Sequence, residues 1–336
     1  MTNILDYATP VPKSHAPLAV AMLIVCCLMW GWSFPTMQIV SRAFDSHTHA
    51  RDSIDLLASR ALFNGFRFGL AGLLYLLLTL GHHRSFSRAD ILGGMAVGAS
   101  FGIAMLFQIL GLTWARPSVS GFLTALAVVF APLAQALVLR RAVGPAAWLA
   151  VALAFLGMVL FSWPNPAAGA ANTLVTTPPL PLLGECLTVL ASMIFTVQIL
   201  SLDHYGQSAH PVRLTSIMFL TTSVISLFVA GVLSRGGMFR PSLLAGLAGD
   251  RTVWWVMSTL VLFSSVGAMH LMNTFQPRVS PAIASVVYCS EPLFATLFSL
   301  AFGAEQLTFL TILGGVTVLA AVLIVAIKPA SPTAPH

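Results

Sequence analysis

The sequence predicts an all-α integral membrane protein with ten transmembrane helices, arranged as two inverted five-helix repeats. Hydrophobic residues make up 57% of the 336 residues and charged residues 8%, whereas ordinary soluble domains carry about 25% charged residues. The apolar residues form separate blocks, each long enough to cross a hydrocarbon core about 30 Å thick. Because the blocks are much longer than barrel strands of about 10 residues, we predict helices.

The ten predicted spans are apolar blocks bounded by charges, prolines and glycines. They cover residues 18–40, 57–80, 91–112, 118–139, 146–162, 181–202, 212–233, 253–273, 281–302 and 307–327. The first block is longer than the apolar region of a cleavable signal, so we expect it to stay as a span. Longer connections are expected at 41–56, 163–180 and 234–252. The predicted domains are a cytoplasmic tail (1–17), a first five-helix repeat (18–162), a linker (163–180), a second five-helix repeat (181–328) and a C-terminal tail (329–336).

The two halves resemble each other when one is shifted by 164 residues. Pro117 then meets Pro281 and Phe130 meets Phe294, and the tight turns around the fourth and ninth spans coincide. Because each half has an odd number of helices, the second copy is predicted to lie upside down relative to the first. Inverted repeats are a transporter architecture in which the binding site lies near the membrane midplane.

The distribution of lysine and arginine predicts the orientation. One side of the predicted topology holds eight of these residues and the other side six. The side with eight includes two tight loops, one with Arg84 and Arg88 and one with Arg140 and Arg141, and tight loops follow the positive-inside rule best. We therefore expect both termini to be cytoplasmic.

Small residues and prolines indicate how the helices pack. Gly94, Gly98 and Gly102 repeat every four residues, as do Gly65 and Gly69, and this spacing lets membrane helices approach closely. Pro35, Pro132 and Pro292 each remove a backbone hydrogen bond inside a predicted span, so kinks are expected there. All four cysteines (Cys26, Cys27, Cys186 and Cys289) lie in apolar blocks, which predicts buried thiols and no disulfide.

Three strings carry a family resemblance. They are WGWSFP (30–35), SVSGFLTALAVVFAPLAQALVLRR (118–141) and SPAIASVVYCSEPLFATLFSLAFGAEQLT (280–308). Together they resemble the drug/metabolite transporter superfamily, specifically the EamA-type ten-helix exporters. The resemblance implies cytoplasmic termini and proton-coupled export of metabolites, amino acids or toxic compounds.

The first repeat departs from this family pattern at two positions. Val128 stands where the family often has a proline, and Arg141 replaces a common acid. The second repeat keeps both features as Pro292 and Glu305. The two halves have therefore diverged, and a symmetric binding site is not expected.

Glu291 is the acidic residue placed at the middle of a predicted span. An ionisable group at that depth costs roughly 2.5–3.5 kcal/mol on insertion scales and usually faces a cavity or a partner. In one interpretation Glu291 accepts the proton that drives transport. In the other it is a structural carboxyl that fixes helix packing. Pro292 beside it favours a helix break at this point.

Arg67 lies midway along the second span and is the predicted partner of Glu291. Arg60, Asn64 and Arg67 follow i, i+4, i+7 spacing and therefore share one helix face. Arg67 either binds a substrate carboxylate, holds Glu291 ionised, or forms a permanent ion pair. Arg60 is expected to reach the membrane interface.

Other polar and aromatic side chains within the spans complete the candidate substrate and proton pathway. The predicted pathway adds Tyr288, Trp30, Trp32, Gln108, Thr124, Gln198 and His270 to Glu291, Arg67 and Asn64. Aromatic faces and amides suit recognition of a small amphipathic solute. Taken singly, each of these residues is more often a packing residue. Tyr288 stands out because it precedes Glu291 by about one helical turn.

The remaining sequence features argue against other classes. The net charge of +6 comes from scattered residues, which predicts no nucleic-acid partner. The pairs His47/His49 and His82/His83 are expected to be solvated loop residues, and no metal or cofactor is predicted. No histidine is followed by glutamate and Glu291 has no second acid at its depth, which disfavours an intramembrane enzyme; a scaffold is also disfavoured.

The sequence thus predicts a secondary transporter that exports a metabolite, amino acid or drug-like compound, with an importer or solute exchanger of the same fold as the alternative. Its expected partners are a small-molecule substrate, protons and the lipid bilayer. The expected location is the bacterial inner membrane, and the sequence leaves the oligomeric state open.

Overall fold

The computed structural model describes residues 16–49, 52–82, 85–114, 123–161, 163, 181–301 and 308–327, and these form helices and turns without a strand. The helices are α1 (Ala16–Thr48), α2 (Ser53–Leu78), α3 (Arg88–Trp114), α4 (Ala127–Leu137), α5 (Pro145–Phe161), α6 (Pro181–Tyr205), α7 (Pro211–Leu233), α8 (Pro241–Gly249), α9 (Arg251–Thr259), α10 (Ala268–Phe275), α11 (Pro281–Tyr288), α12 (Glu291–Ala301) and α13 (Phe309–Ile327). A π-helical segment, Leu260–Gly267, joins α9 to α10.

Seven helical stretches are long and apolar enough to cross a membrane, among them 54–78, 251–278 and 281–298. Three shorter apolar helices, Pro17–Ser33, Ala127–Leu137 and Pro145–Phe161, accompany them in the part of the chain that the structure describes. Both sets fall on the blocks predicted from the sequence. The predicted linker, both tails, the turn with Glu305 and residues 118–122 of the fourth predicted span lie outside the described residues.

One predicted connection is wrong in extent, and another contains an additional helix. Residues 41–48 continue α1, and α2 begins at Ser53, where the side chain of Asp52 accepts from the N–H groups of Ile54 and Asp55. The chain therefore turns over a few residues rather than across 41–56. The expected connection 234–252 contains the helix α8. Residues 41–48 stay helical beside partners such as Arg60 and Asp250, whereas α8 is itself largely apolar.

The ninth predicted span is broken in the middle. It consists of α11 and α12, with Cys289 and Ser290 between them. Pro292 has no N–H to give to the carbonyl of Tyr288, so the regular helical ladder cannot pass this point. The expected interruption at Pro292 is confirmed, whereas α1 remains helical through position 35 and α4 through Pro132.

The principal helix contacts join the first group of helices (α1–α5) to the second group (α6–α13). α2 packs on α7, α5 on α13, and α4 on α11. α3 packs on α6 and α7, while α1 packs on α10, α12 and the π-helical segment. The two groups therefore form one interlocked bundle, and α1 lies between the π-helical segment and α12.

A glycine seam, formed by Gly65, Gly69, Gly94 and Gly98 against α7, closes this bundle on one side. A Cβ placed on Gly94 would lie 2.5 Å from the Cβ of Ile217, and one placed on Gly98 would lie 2.6 Å from the carbonyl oxygen of Met218. These separations leave no room for a side chain. The prediction that the glycines allow close helix approach is confirmed.

Ion pairs join the helix ends at both extremities of the bundle. At one end the guanidinium of Arg213 lies 3.5 Å from the Asp90 carboxylate, and Arg141 donates to Asp203 at 2.6 Å. At the other end the Asp45 carboxylate lies 2.7 Å from the guanidinium of Arg60.

Two expectations about single residue types need correction. His47 is not a free loop histidine: it belongs to α1, and its Nε2 lies 3.0 Å from the Asp250 carboxylate. Cys186 is exposed rather than buried, because it lies on the outer face of α6, while Cys26, Cys27 and Cys289 are buried and all four thiols are free.

Candidate functional site

Arg67 is buried in the bundle, with only 3% of its surface exposed. Its Nε donates to the hydroxyl of Ser265 at 2.9 Å, and its Nη2 donates to the hydroxyl of Ser264 at 2.8 Å. The third nitrogen, Nη1, lies 3.4 Å from the thioether sulfur of Met37, which is a weak acceptor. The guanidinium is therefore held by three neutral groups.

The two serines belong to the π-helical segment Leu260–Gly267, and both are fully buried. A π-helix widens the turn and shifts the side chains that follow it, and such insertions are frequent at functional sites. Here the segment turns two consecutive hydroxyls toward the same guanidinium. α1 and α2 both pack on this segment, which encloses the arginine on its remaining sides.

Glu291 opens helix α12 directly after the break, and its side chain is half-buried. The positive end of the helix dipole favours an ionised carboxylate at this position, whereas the surrounding thiols and rings do not solvate it. Its carboxyl interacts electrostatically with Cys26 and Cys27 of α1 and with Cys289. The ion pairs between described residues do not include Glu291.

Arg67 and Glu291 do not form the ion pair expected from the sequence. Glu291 lies beside Cys27, whereas the Arg67 guanidinium reaches Met37. The ten residues from Cys27 to Met37 extend over roughly 15 Å of helix. The sequence places both Arg67 and Glu291 near the middle of their spans. In the structure the serine hydroxyls hold the Arg67 side chain at a different position along α1.

Two aromatic side chains lie near the acid, because Tyr288 interacts electrostatically with Glu291 and packs against Trp30. The rings of Trp30 and Tyr288 have their centroids 5.6 Å apart, and the Tyr288 hydroxyl donates to the side-chain oxygen of Gln276 at 2.7 Å. The Gln276 amide then donates to the carbonyl of Ile199 on α6. Tyr288 is therefore fixed from the second group of helices, and it presents its ring to Trp30.

Two side chains close to these groups have buried polar atoms without a hydrogen bond. Asn64 is fully buried, and neither its oxygen nor its nitrogen has a partner. The indole N–H of Trp30 is also unsatisfied. Buried polar groups in folded proteins are nearly always hydrogen-bonded, so each exception calls for an explanation. Asn64 lies one turn before Arg67, on the helix face predicted from the sequence.

The other predicted site residues fall into separate small contacts. Gln108 donates to the hydroxyl of Thr124 at 3.1 Å, which joins α3 to the start of the fourth span. The Gln198 amide lies 3.7 Å from the sulfur of Met272, and His270 Nδ1 lies 2.6 Å from the Tyr75 hydroxyl. Trp32 packs edge-on against Phe298. The structure brings Trp30, Tyr288 and Glu291 together and leaves these five residues elsewhere in the bundle.

Sequence reasoning missed Ser264, Ser265, Tyr75 and Gln276. The adjacent serines in the string LFSSVG were a usable signal, because two hydroxyls side by side in a long apolar block are conspicuous. Tyr75 and Gln276 gave no comparable signal, since their importance comes from the helices opposite them.

An apolar cleft of about 380 Å³ lies on the outer face of α6, lined by Leu123, Leu182, Glu185 and Met193. It contains none of the predicted site residues. Its apolar lining and outward position suit contact with lipid tails rather than binding of a polar solute.

A bundle of long apolar helices with buried, incompletely bonded polar groups between its two halves defines a polytopic membrane protein with an internal polar site. The chain belongs to the EamA-like transporter family, whose model matches residues 17–163 and 182–327. It is therefore an integral membrane protein and a membrane transporter. The family resemblance drawn from the three sequence strings is confirmed.

Two individual proteins extend this result. The chain is 26% identical over 325 residues to an uncharacterized transporter of Archaeoglobus fulgidus, with 96% of this chain and 89% of that protein covered. A protein of known crystal structure superposes with a TM-score of 0.68 at 14% identity, covering 95% of this chain and 98% of the other. The second likeness shows the fold alone. Family and relative both point to a transporter rather than an enzyme, with a small molecule as substrate.

Proposed function

We propose that the chain is a proton-coupled secondary transporter that exports a small solute by alternating access. The observation that carries this proposal is the Glu291 carboxyl, which lies at a helix break between the two halves and has no ionic partner among the described residues. The helix dipole favours its ionised form and the apolar surroundings favour its neutral form. A carboxyl under such opposed influences is suited to take up and release a proton.

The helix contacts support ten spans in two inverted repeats, which are 18–162 and 181–328 in this proposal, with 163–180 as the linker. If α1 to α5 correspond in order to α6, α7, α9–α10, α11–α12 and α13, the principal contacts between the halves have counterparts. The contact of α3 with α6 corresponds to that of α1 with α10, and the contact of α4 with α6 to that of α1 with α12. Two copies related by an in-plane axis would give this pattern.

The ion pairs at the two ends support alternating access. At one end Arg141 joins Asp203, and at the other His47 joins Asp250; each pair connects one half to the other. A rocking movement would break the pairs at one end while those at the other remain. Because each pair is partly exposed, it contributes little stability and can open at small cost.

The proposed pathway keeps the set drawn from the sequence. The proton site consists of Glu291, Tyr288 and Trp30, and the solute site contains Arg67 and Asn64. In other conformations of the transport cycle, the pathway is lined by Trp32, Gln108, Thr124, Gln198 and His270. Export, cytoplasmic termini and the bacterial inner membrane are supported by the family resemblance and by the excess of lysine and arginine on one side.

Transport can be tested in proteoliposomes with the purified full-length chain. Vesicles carrying a pH-sensitive dye inside are exposed in turn to labelled amino acids, monocarboxylates and amphipathic cations. We expect at least one solute to move against its gradient when a pH difference is imposed, and to move protons in the opposite direction. Solute exchange without any dye response would establish a proton-independent exchanger, and the absence of flux for every solute would contradict transport.

A further inference from the structure

We propose that Arg67, Ser264 and Ser265 form an anion subsite that binds the carboxylate of the transported solute; this inference rests on the proposed transport function. The three side chains are each at least 97% buried, and they belong to α2 and to the π-helical segment. They come from opposite halves of the chain, so that a solute bound here would contact both halves.

The charge of this cluster is uncompensated within the described residues. Arg67 donates to two neutral hydroxyls and faces a thioether, and it takes part in none of the ion pairs. A buried charge without a counter-charge is strongly unfavourable. By contrast Arg60, two turns earlier on the same helix, is paired with Asp45. The missing negative charge is what an anionic solute would supply.

The hydrogen-bond geometry favours an anion over a neutral acceptor. Each serine hydroxyl accepts one hydrogen bond from the guanidinium, so its own hydrogen remains available to a ligand. Nη1 of Arg67 has only a weak acceptor in Met37. Two hydroxyl donors and one charged N–H donor thus converge around one positive charge, which matches a singly charged carboxylate better than a doubly charged phosphate.

Asn64 provides the independent sign of a ligand. It is fully buried, both polar atoms of its amide lack partners, and it lies one turn from Arg67 on the same face. An amide can donate to a carboxylate and accept from a neighbouring amine or hydroxyl. Since no ion pair between described residues joins Glu291 to Arg67, we assign the carboxylate to Arg67 and the proton to Glu291.

The test uses matched pairs of solutes. Each pair consists of an amino acid and its amide, in which a neutral carboxamide replaces the carboxylate. The two compete in exchange assays that need no pH gradient. For the unmodified protein we expect the acids to compete better than the amides. Arg67→Gln should reduce the preference by about 10- to 100-fold, the range expected for a charged hydrogen bond. Arg60→Gln is the control and should leave the preference unchanged.

A second variant covers the case in which Arg67→Gln does not fold. Replacing Ser264 and Ser265 together by alanine keeps the charge, removes the two ligating hydroxyls, and should reduce the acid preference partially. Exchange that proceeds with equal affinity for acids and amides would overturn the anion subsite and leave transport standing. The anion subsite for the solute would also be overturned if chloride competed with the solutes while acids and amides competed equally well. The absence of any exchange would refute the transport function itself.

Discussion

The glycine seam and the polar site formed by Asn64, Arg67, Ser264 and Ser265 lie on opposite sides of α2. The two regions satisfy their polar groups in different ways. In the seam two hydroxyls of α7 find carbonyls across the helix contact: Ser223 donates to Gly65 and Thr222 donates to Gly98. At the polar site both polar atoms of Asn64 are unsatisfied, and Arg67 takes part in none of the ion pairs between described residues.

In our proposal this difference separates a permanent helix contact from a ligand-binding site. Backbones in the seam approach so closely that a methyl group does not fit, which is how helices associate when lipid removes the hydrophobic drive. The polar site keeps its hydrogen-bonding capacity at the cost of stability. We therefore expect seam substitutions to lower stability and polar-site substitutions to change transport.

The largest effect on stability should come from Gly98→Ala in the seam. Its new Cβ would lie 2.6 Å from the carbonyl oxygen of Met218, and overpacking of this kind costs about 1–3 kcal/mol. Thermal unfolding in detergent should show a clearly lower midpoint. Gly102→Ala is the matched control, because its Cβ would have 3.4 Å to the nearest atom; equal losses for both would refute the close-packed seam.

Asn64→Leu should separate stability from transport at the polar site. Replacing an unpartnered buried amide with an apolar group of similar size removes a desolvation penalty of about 1–3 kcal/mol. We expect the melting midpoint to stay or rise while solute exchange falls at least about tenfold.

Ser223→Ala is the opposite case in the seam. It leaves the Gly65 carbonyl without its serine donor, so stability should fall by about 0.5–1.5 kcal/mol with exchange rates unchanged. A stability loss in the Asn64 variant larger than that in the Ser223 variant would contradict the division into two regions.

The smallest effect is expected at the helix ends. The hydrogen bond from His47 lowers the pKa of Asp250, so the pair stabilises the fold at a pH above the unfolded carboxyl value of about 3.9, and this contribution is lost as the pH falls through the lowered pKa. His47→Ala should cost less than about 1 kcal/mol near neutral pH, as exposed pairs do. A difference in melting midpoint that persists in acid would show that the pair does not act through Asp250.

The fold was largely predictable because hydrophobic blocks determine where helices cross a membrane. The predicted span 146–162 differs by one residue at each end from α5 (Pro145–Phe161). The extension of α1 to Thr48 was not predictable, since it depends on contacts such as Asp45 with Arg60. Likewise the π-helical segment has no hydrophobic signature.

The sequence predicts which charged residues belong to the site but not how they contact each other. Glu291 and Arg67 are conspicuous because charges inside apolar blocks are rare. The expected ion pair between them is wrong, because the direction of a long side chain depends on its acceptors. The acceptors of Arg67 are Ser264 and Ser265, which lie almost 200 residues away in the chain. Only helix packing brings Cys26 and Cys27 close to Glu291. The same is true of Gln276 and Tyr288.

The most direct test of the account compares Glu291→Gln with the unmodified protein in proteoliposomes, with Glu185→Gln as the control at an acid on the outer face of α6. The account predicts that Glu291→Gln folds, retains solute exchange at equal pH, and loses flux driven by a pH gradient, whereas Glu185→Gln keeps both. A Glu291→Gln variant that still concentrates solute against a gradient in response to pH would contradict the assignment of Glu291 as the proton-coupling group.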